Sequence, residues 1–402
     1  MPSIWSWRTL ERAPGKTVRE EKASRAGPLI AMHAQGRAVW TPRDYAALAR
    51  EGFARNAIVY RCVRMIGEAV GSLTWLAYEG EKELDTHPLL DLLAAPNPRQ
   101  SGPELFETLC GHLQLSGNAY LEAVSIEGRV RELFALRPDR MKVVPGGDGW
   151  PQAYEYAAGG ETLRFEMAGE GVPPILHLSL FNPTDDHYGM SPLEAAAVSV
   201  DIHNAASAWN KALLDNAARP SGALVYTPAE AGLGLTDEQY ERLKSELENS
   251  FQGTANAGRP LLLEGGLDWK AIGLSPHDMD FIAGRHAAAR DIALAFGVPP
   301  MLLGIPGDNT YANYQEANRA FWRQSVLPLA AKLAKAVSAW LGAAGDPTVR
   351  LDLDLDRIDA LSVEREAVWA RVQAATFLDD DEKRAAVGYG PRAQGEGDAA
   401  GQ

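Results

Sequence analysis

Two segments of helical pattern, separated by a short inserted unit, constrain the fold of this chain most strongly. The first, from Ser191 to about Asn216, opens with Ser-Pro-Leu-Glu, in which a capping serine, a first-turn proline and an acidic residue start a helix. The second, from Ser275 to Gly297, repeats the Ser-Pro opening and carries an apolar stripe at helical spacing. Two helices that flank an insertion make an elongated subunit that buries little of its own surface. We therefore expect neighbouring subunits to cover it.

The inserted unit combines strand and helix patterns and is predicted to be a small α/β body. Gly222 to Tyr226 is rich in strand-forming residues, and Thr236 with Gln239 caps a predicted helix that ends near Phe251. Two further predicted strands pair with each other: Pro260 to Leu263 and Leu267 to Ala271.

The region before Phe181 is predicted to combine helices with an antiparallel sheet. A proline-containing cap at Thr41 starts a short helix that Gly52 ends, and Asn56 precedes a longer apolar helix that runs to about Val70. Further predicted helices are His87 to Leu93 and a capping-box helix from Ser101 to about Leu115. Alternating patterns predict strands at 73–78, 119–124, 130–136, 141–144, 154–156, 163–165 and 175–180.

The region after the second helical segment begins with a loop rich in glycine and proline. Pro299-Pro300 stops the preceding helix, the loop runs from Met301 to Ala312, and Asn313 with Glu316 predicts the start of a long helix. That helix reaches about Leu341, and Pro328 inside it predicts a kink because proline has no N–H to donate to Gln324. A strand at 349–355 and helices at 361–376 and 379–387 follow.

Charge and cysteine content exclude several classes of protein. The 402 residues carry a formal charge of −14, which argues against a protein that mainly grips phosphates. Cys62 and Cys110 lie in apolar helical patterns without a second cysteine nearby, so we expect buried thiols and neither a disulfide framework nor a zinc site. The longest uncharged run contains three prolines and is too short for a membrane span, and the start of the chain lacks a secretory core. We therefore expect a soluble protein made in a reducing compartment.

No motif typical of an enzyme active site or a metal site is complete in this sequence. Gly15-Lys16-Thr17 lacks the earlier glycine of a phosphate loop, and Asp352, Asp354 and Asp356 lack the glycine and glutamate that complete a calcium loop. The three aspartates are expected on one solvated strand face. His177, in an apolar strand, is expected to satisfy a hydrogen bond. We predict no catalytic residues, no metal site and no cofactor.

Six short segments occur along the chain in a characteristic order. They are Asn56-Ala-Ile-Val-Tyr-Arg-Cys-Val63, His87-Pro-Leu89 with Pro96-Asn97, Leu115-Ser-Gly-Asn-Ala-Tyr120, Gly189-Met-Ser-Pro-Leu193, Phe296-Gly-Val-Pro-Pro300 and Asn309-Thr-Tyr-Ala-Asn313. This is the order seen in the portal proteins of long-tailed bacteriophages and of phage-derived gene transfer agents, and the chain resembles that family over roughly residues 50 to 390.

The resemblance implies a non-enzymatic head-to-tail connector. Such a protein is a ring, typically of twelve copies, at one capsid vertex, through which a terminase motor packages double-stranded DNA and from which the DNA leaves. The implied partners are further copies of the chain, the major capsid protein, the terminase large subunit, a head-tail adaptor and the DNA itself, with no membrane. The implied location is the virion or gene transfer agent particle, after assembly in the bacterial cytoplasm.

The implied fold is α+β, with an α/β wing, a two-helix stem, a small α/β clip insertion and a kinked long helix. The implied map is a mobile arm at 1–40, wing at 41–190, first stem helix at 191–219, clip at 220–274, second stem helix at 275–297, tunnel loop at 298–312, long helix and wing strand at 313–358, and short crown-like helices with a disordered tail at 359–402. The residues expected to face the DNA channel are Gly304, Ile305, Pro306, Gly307, Asp308, Asn309, Thr310 and Tyr311. A large crown is not expected, because little chain follows Leu361.

Two alternatives remain open at this point. A different capsid or head-tail structural protein would share the acidic composition and the lack of catalytic motifs, but it would not need this order of helix, insertion, helix, proline-rich loop and helix. An unrecognised hydrolase would need a cleft in which folding assembles distant acidic and serine residues.

Overall fold

The structure is a computed structural model. It describes residues 40–169, 171–215, 222–226, 236–251, 267–271, 281–307, 310–342 and 348–390. The predicted arm, the strand at 260–263, the second Ser-Pro opening and the predicted disordered tail lie outside these residues, apart from Trp40.

Twelve α-helices lie within the described residues. They are α1 (Tyr45–Leu48), α2 (Ala57–Gly71), α3 (Pro88–Ala94), α4 (Gly102–Ser116), α5 (Pro192–Ala195), α6 (Ala197–Asp215), α7 (Asp237–Phe251), α8 (Phe281–Ala295), α9 (Tyr311–Phe321), α10 (Leu327–Gly342), α11 (Ser362–Ala374) and α12 (Asp380–Val387). Several predicted ends are confirmed: Asn56 caps α2, Ser101 and Glu104 form the capping box of α4, and Gly117 ends α4 with φ of +75°. In the same part of the chain, no helix has the length and apolar character needed to cross a bilayer.

The strands pair antiparallel throughout, as predicted for the region before Phe181. They are β1 (Trp75–Glu79), β2 (Lys82–Leu84), β3 (Asn118–Ile126), β4 (Arg129–Leu136), β5 (Met141–Pro145), β6 (Pro151–Ala158), β7 (Glu161–Glu166), β8 (Ile175–Ser179), β9 (Gly222–Tyr226), β10 (Leu267–Ala271) and β11 (Val349–Leu353). The sheets have the orders β11-β1-β2, β4-β3-β8, β5-β6-β7 and β10-β9. The late strand β11 therefore joins the early part of the chain, with Trp75 opposite Leu353 and Glu79 opposite Val349.

One apolar core joins the early helices to the later ones. The buried face of α2 includes Val59 and Ile66 and packs against α4, whose buried residues include Phe106 and Leu109. The same core continues into α8, α10 and β11. Cys62 and Cys110 lie inside it as free thiols, and burial raises the pKa of each to about 12, as expected for structural cysteines.

The two helices that flank the insertion pack against each other. Helices α6 and α8 are in contact, and the Ser199 hydroxyl donates to the carboxylate of Asp291 at 3.4 Å. The insertion contributes α7 and the pair β9-β10, in which Leu267 lies opposite Tyr226 and Ala271 opposite Gly222. The strand predicted at 260–263 lies outside the described residues, so its pairing with 267–271 stays a prediction, and the partner seen for β10 is β9.

The prediction that the first helix ends at Gly52 is wrong. After α1 the chain continues as a π-helical turn, Ala49–Ala54. A Cβ atom on Gly52 would lie 2.8 Å from Cδ1 of Leu193, so this glycine allows a close approach between two elements.

The long helix differs from its prediction at its start and in its middle. Thr310 caps α9, because its hydroxyl accepts from the N–H of Asn313 at 3.2 Å, so Asn313 lies inside the helix and is not its cap. The irregularity predicted near Pro328 takes the form of a π-helical turn at Trp322–Val326, immediately before α10. A wider turn changes the hydrogen-bond pattern just before the residue that cannot donate.

The three aspartates near β11 do not share one strand face, contrary to prediction. The strand ends at Leu353, and Asp354 caps a single 3₁₀ turn that contains Asp356. Each carboxylate instead pairs with an arginine: Asp352 with Arg350, Asp354 with Arg357 and Asp356 with Arg365.

Candidate channel segment and its stem anchors

The segment expected to face the channel, residues 298–312 (the channel segment), begins at a tightly built helix end. Gly297 follows α8 with φ of +67°, and its carbonyl accepts from the Ser325 hydroxyl at 2.5 Å. The N–H of Val298 returns to the carbonyl of Ala293 at 2.9 Å, so the chain leaves the helix in a fixed direction. Pro300–Leu303 then forms a 3₁₀ turn that ends at Gly304, with φ of +70°.

The middle of the channel segment is held by a buried side chain. Ile305 is 5% exposed and packs against Ala289 and Ala293 of α8. Its N–H donates to the carbonyl of Pro300 at 3.2 Å. A deletion that included Ile305 would therefore remove core, so the chain is not a free loop between Pro300 and Gly307.

A charged side chain contacts the segment one residue later. The guanidinium Nη2 of Arg290, on the exposed side of α8, donates to the carbonyl of Pro306 at 2.5 Å. Hydrogen bonds in which the donor is charged are the stronger kind.

The far end of the segment is the capped start of α9. Tyr311 is 78% exposed and its hydroxyl accepts from the side-chain amide of Gln315 at 3.3 Å, while Tyr314 is also exposed one turn later. Of the eight residues predicted to face the channel, Gly304 to Gly307 follow the 3₁₀ turn, Thr310 and Tyr311 start the helix, and Asp308 and Asn309 lie outside the described residues.

The sequence did not single out Arg290 or Ser325, both of which contact this part of the chain. Ser325 lies in the π-helical turn before Pro328, so the irregularity predicted from the proline lies close to this contact. Arg290 is one of several exposed arginines, and no sequence pattern marks it.

Two asparagines from the portal-like motifs act as anchors between elements. The first, Asn56, donates from its amide to Asn204 Oδ1 at 3.0 Å and lies 3.1 Å from Nδ1 of His203, and both partners belong to α6. The Asn204 amide in turn donates to the carbonyl of Glu51 at 2.8 Å. Side-chain amides therefore hold α6 to the chain around Glu51 and Asn56.

The second anchor brings together two motif segments that lie 71 residues apart. Asn118 is 5% exposed, and its Oδ1 accepts from the N–H of Gly189 at 2.8 Å and from Nε2 of His177 at 3.0 Å. Its amide donates to the carbonyls of Ser116 at 2.9 Å and Gly189 at 3.3 Å. A Cβ on Gly189 would lie 2.2 Å from the carbonyl oxygen of Gly117, so both positions need glycine.

His177 is neutral in this arrangement. Because Asn118 Oδ1 is an acceptor, Nε2 of His177 carries the proton and Nδ1 accepts from the Tyr154 hydroxyl at 3.4 Å. The ring stacks on Tyr120 with centroids 4.3 Å apart. Burial, with a smaller effect from His187, lowers the pKa of His177 to about 4. The hydrogen bond predicted for His177 is confirmed.

Within the residues that the structure describes, no group of three or more histidines, cysteines and acidic residues could hold a metal ion. The buried amides of Asn56 and Asn118 serve as a helix cap and as bridges between elements.

Comparison with known proteins identifies the family. The family model described as "Phage portal protein" matches residues 57–388. The "Portal protein" of Enterobacteria phage HK97 is 26% identical over 340 residues, which cover 81% of this chain and 74% of that protein.

Solved structures of particle necks are also similar to this chain. A chain in "Neck of empty GTA particle computed with C6 symmetry" is 56% identical, with a TM-score of 0.70, covering 89% of this chain and 96% of that one. A chain in "Neck of native GTA particle computed with C12 symmetry" is 55% identical, with a TM-score of 0.67, covering 89% and 97%.

Proposed function

The chain belongs to the phage portal protein family, and we propose that it forms the ring-shaped channel of a gene transfer agent or phage particle, through which DNA is packaged and later released. The observation that carries this proposal is the 56% identity to a chain in the neck of a GTA particle, over 96% of the length of that chain. Portal proteins are a structural family, which argues against the alternative of a hydrolase. The match to the portal family also argues against the alternative of another capsid protein.

The copy number proposed for the ring is twelve. The neck structures similar to this chain were computed with C6 and C12 symmetry, and twelve subunits are compatible with both. Rotational symmetry of this kind needs a heterologous interface, in which one face of a subunit contacts a different face of the next.

The solvent-exposed side of α6 is the first of the two faces that such an interface needs. Val198 and Ile202 are exposed although apolar, and Ala205 continues the same side one turn later. Residues at this spacing lie on one side of a helix, and an uncharged stripe in water favours association with another surface. In the proposed ring, an adjacent copy of the chain covers this stripe.

The channel segment is proposed to line the narrow part of the ring. Its contacts with α8, and the bond from Ser325 to Gly297 just before it, support this role, because a chain held at its start and in its middle presents its exposed residues in a constant position. The net charge of −14 suits a conduit, since DNA slides past a surface that does not bind many phosphates at once. The proposed partners are the major capsid protein, the terminase large subunit and a head-tail adaptor.

The ring is tested by light scattering and negative-stain imaging of the purified protein. Wild-type protein should form closed rings, and Ile202→Glu should shift the population to free subunits because it places a charge in the apolar stripe. Ile126→Glu is the matched control, because Ile126 is equally apolar and exposed but lies at the end of a hairpin strand. Compact monomers or two-fold dimers of the wild type at every concentration would refute the proposal.

A further inference from the structure

The channel segment and the residue just before it, Gly297, are held by three contacts that differ in their physical nature. Ile305 is buried against α8, and the Ser325 hydroxyl binds the Gly297 carbonyl; neither contact involves a charged group. The third is the bond from the Arg290 guanidinium to the Pro306 carbonyl. Only this contact among the three responds strongly to salt or to a nearby anion.

Arg290 has donor capacity that Pro306 does not use. A guanidinium has five N–H donors, and one carbonyl oxygen accepts from Nη2 alone. The side chain is exposed, and among the described residues it forms no ion pair. The guanidinium therefore lies exposed at the surface next to the segment.

We propose that Arg290 is a positioning residue for the channel segment, and that phosphate groups of DNA compete with the Pro306 carbonyl for its guanidinium. This inference rests on the proposed function, because DNA must pass close to the segment. A DNA phosphodiester offers two non-bridging oxygens that share one negative charge, in the geometry that a guanidinium fork matches, whereas the carbonyl offers one neutral acceptor. Passing DNA would thus release the segment at Pro306 while Ile305 and Ser325 continue to hold it.

The competition is compatible with free movement of the DNA. One arginine per subunit at this level of the ring gives few simultaneous phosphate contacts, and each contact exchanges one hydrogen bond for another. The backbone from Gly304 to Pro306 then changes between a bound and a released state with small differences in free energy.

Hydrogen–deuterium exchange of assembled rings tests the proposal. The amides to follow are those of Gly304 and Ile305, which donate to the carbonyls of Met301 and Pro300. Arg290→Gln should raise their exchange rates by about fivefold, since a charge-assisted bond that restrains the next residue is lost. Arg285→Gln is the matched control, because Arg285 is exposed on the same helix and has no such contact with the described residues of the segment.

The second arm adds a short DNA duplex at low salt. In wild-type rings the duplex should raise exchange at Gly304 and Ile305 to about the level of the Arg290→Gln rings, and added salt should reverse the change. In Arg290→Gln rings the duplex should have no further effect.

Two results would overturn the inference. Equal exchange in Arg290→Gln and Arg285→Gln rings would show that Arg290 does not position the segment. A duplex without effect on wild-type rings would show that phosphate does not compete for it. Failure of the proposed function is separate, since it appears as absence of rings in the wild type, and the effect of Arg290→Gln on exchange can then still be measured in free subunits.

Discussion

Replacing Asn118 with alanine should destabilise the subunit strongly, because this buried amide joins two distant parts of the chain. Its side chain makes four hydrogen bonds, two of them to the buried backbone of Gly189. Asn118→Ala leaves the Gly189 N–H and two carbonyls without that partner, at about 1–3 kcal/mol for each buried group that water does not reach. Water that enters the vacated space recovers part of this, so we expect a loss of about 2–4 kcal/mol. The whole free energy of unfolding of a typical domain is only about 5–15 kcal/mol.

The assay is urea unfolding at one fixed protein concentration, because ring assembly also stabilises the subunit by mass action. Gln152→Ala is the matched control, since it removes an amide from an exposed position of β6. The control should change the free energy of unfolding by less than about 0.5 kcal/mol. An Asn118→Ala variant as stable as this control would refute the account of the anchor.

Asn118→Asp adds a test of the charge at His177. Aspartate still accepts from Gly189 and His177 but no longer donates, and its carboxylate should raise the pKa of His177 from about 4. With a pKa higher than in the alanine variant, His177 opposes protonation less in the folded state, so the difference in stability in favour of aspartate grows as the pH falls. The aspartate variant should therefore gain stability relative to Asn118→Ala between about pH 7 and pH 5, and a relative loss would contradict the geometry.

Two further predictions concern pH and the channel segment. Burial lowers the pKa of His112 to about 4, so the folded state holds this histidine neutral. The stability of the folded state therefore does not depend on this group above its ordinary pKa of 6.5, and stability is lost as the pH falls from there towards 4. This amounts to about 3 kcal/mol at most, and the difference in acid unfolding between wild type and His112→Gln should show it, whereas identical pH profiles would contradict it. Ile305→Ala should cost about 2 kcal/mol and reduce the DNA retained in particles, while the exposed control Ile126→Ala should do neither; normal retention with lost stability would make the segment purely structural.

The motifs that identified the family are structural in this chain. Asn56 caps α2 and reaches α6, His87 caps α3 through its ring nitrogen, and the Asn97 amide donates to the carbonyl of Leu133 at 2.9 Å. Such residues are recognisable in a sequence because caps, turns and close approaches each tolerate few residue types.

Local sequence was enough to predict most elements and their ends. The capping box at Ser101, the end of α4 at Gly117 and the strands before Phe181 depend on neighbours within a few residues, so their signals are contained in short stretches. The same holds for the two cysteines, whose burial follows from the apolar helix faces on which they lie.

Tertiary structure decided what depends on distant partners. Gly52 resembled a helix end, but its role comes from Leu193, and the partner of β10 is β9 across the whole insertion. Ile305 was predicted in a loop rich in glycine and proline, whereas it packs on α8, and Arg290 contacts a carbonyl sixteen residues away. Local pattern sets which conformations a segment can adopt at low cost, whereas the choice of contacts depends on which surfaces the fold brings together.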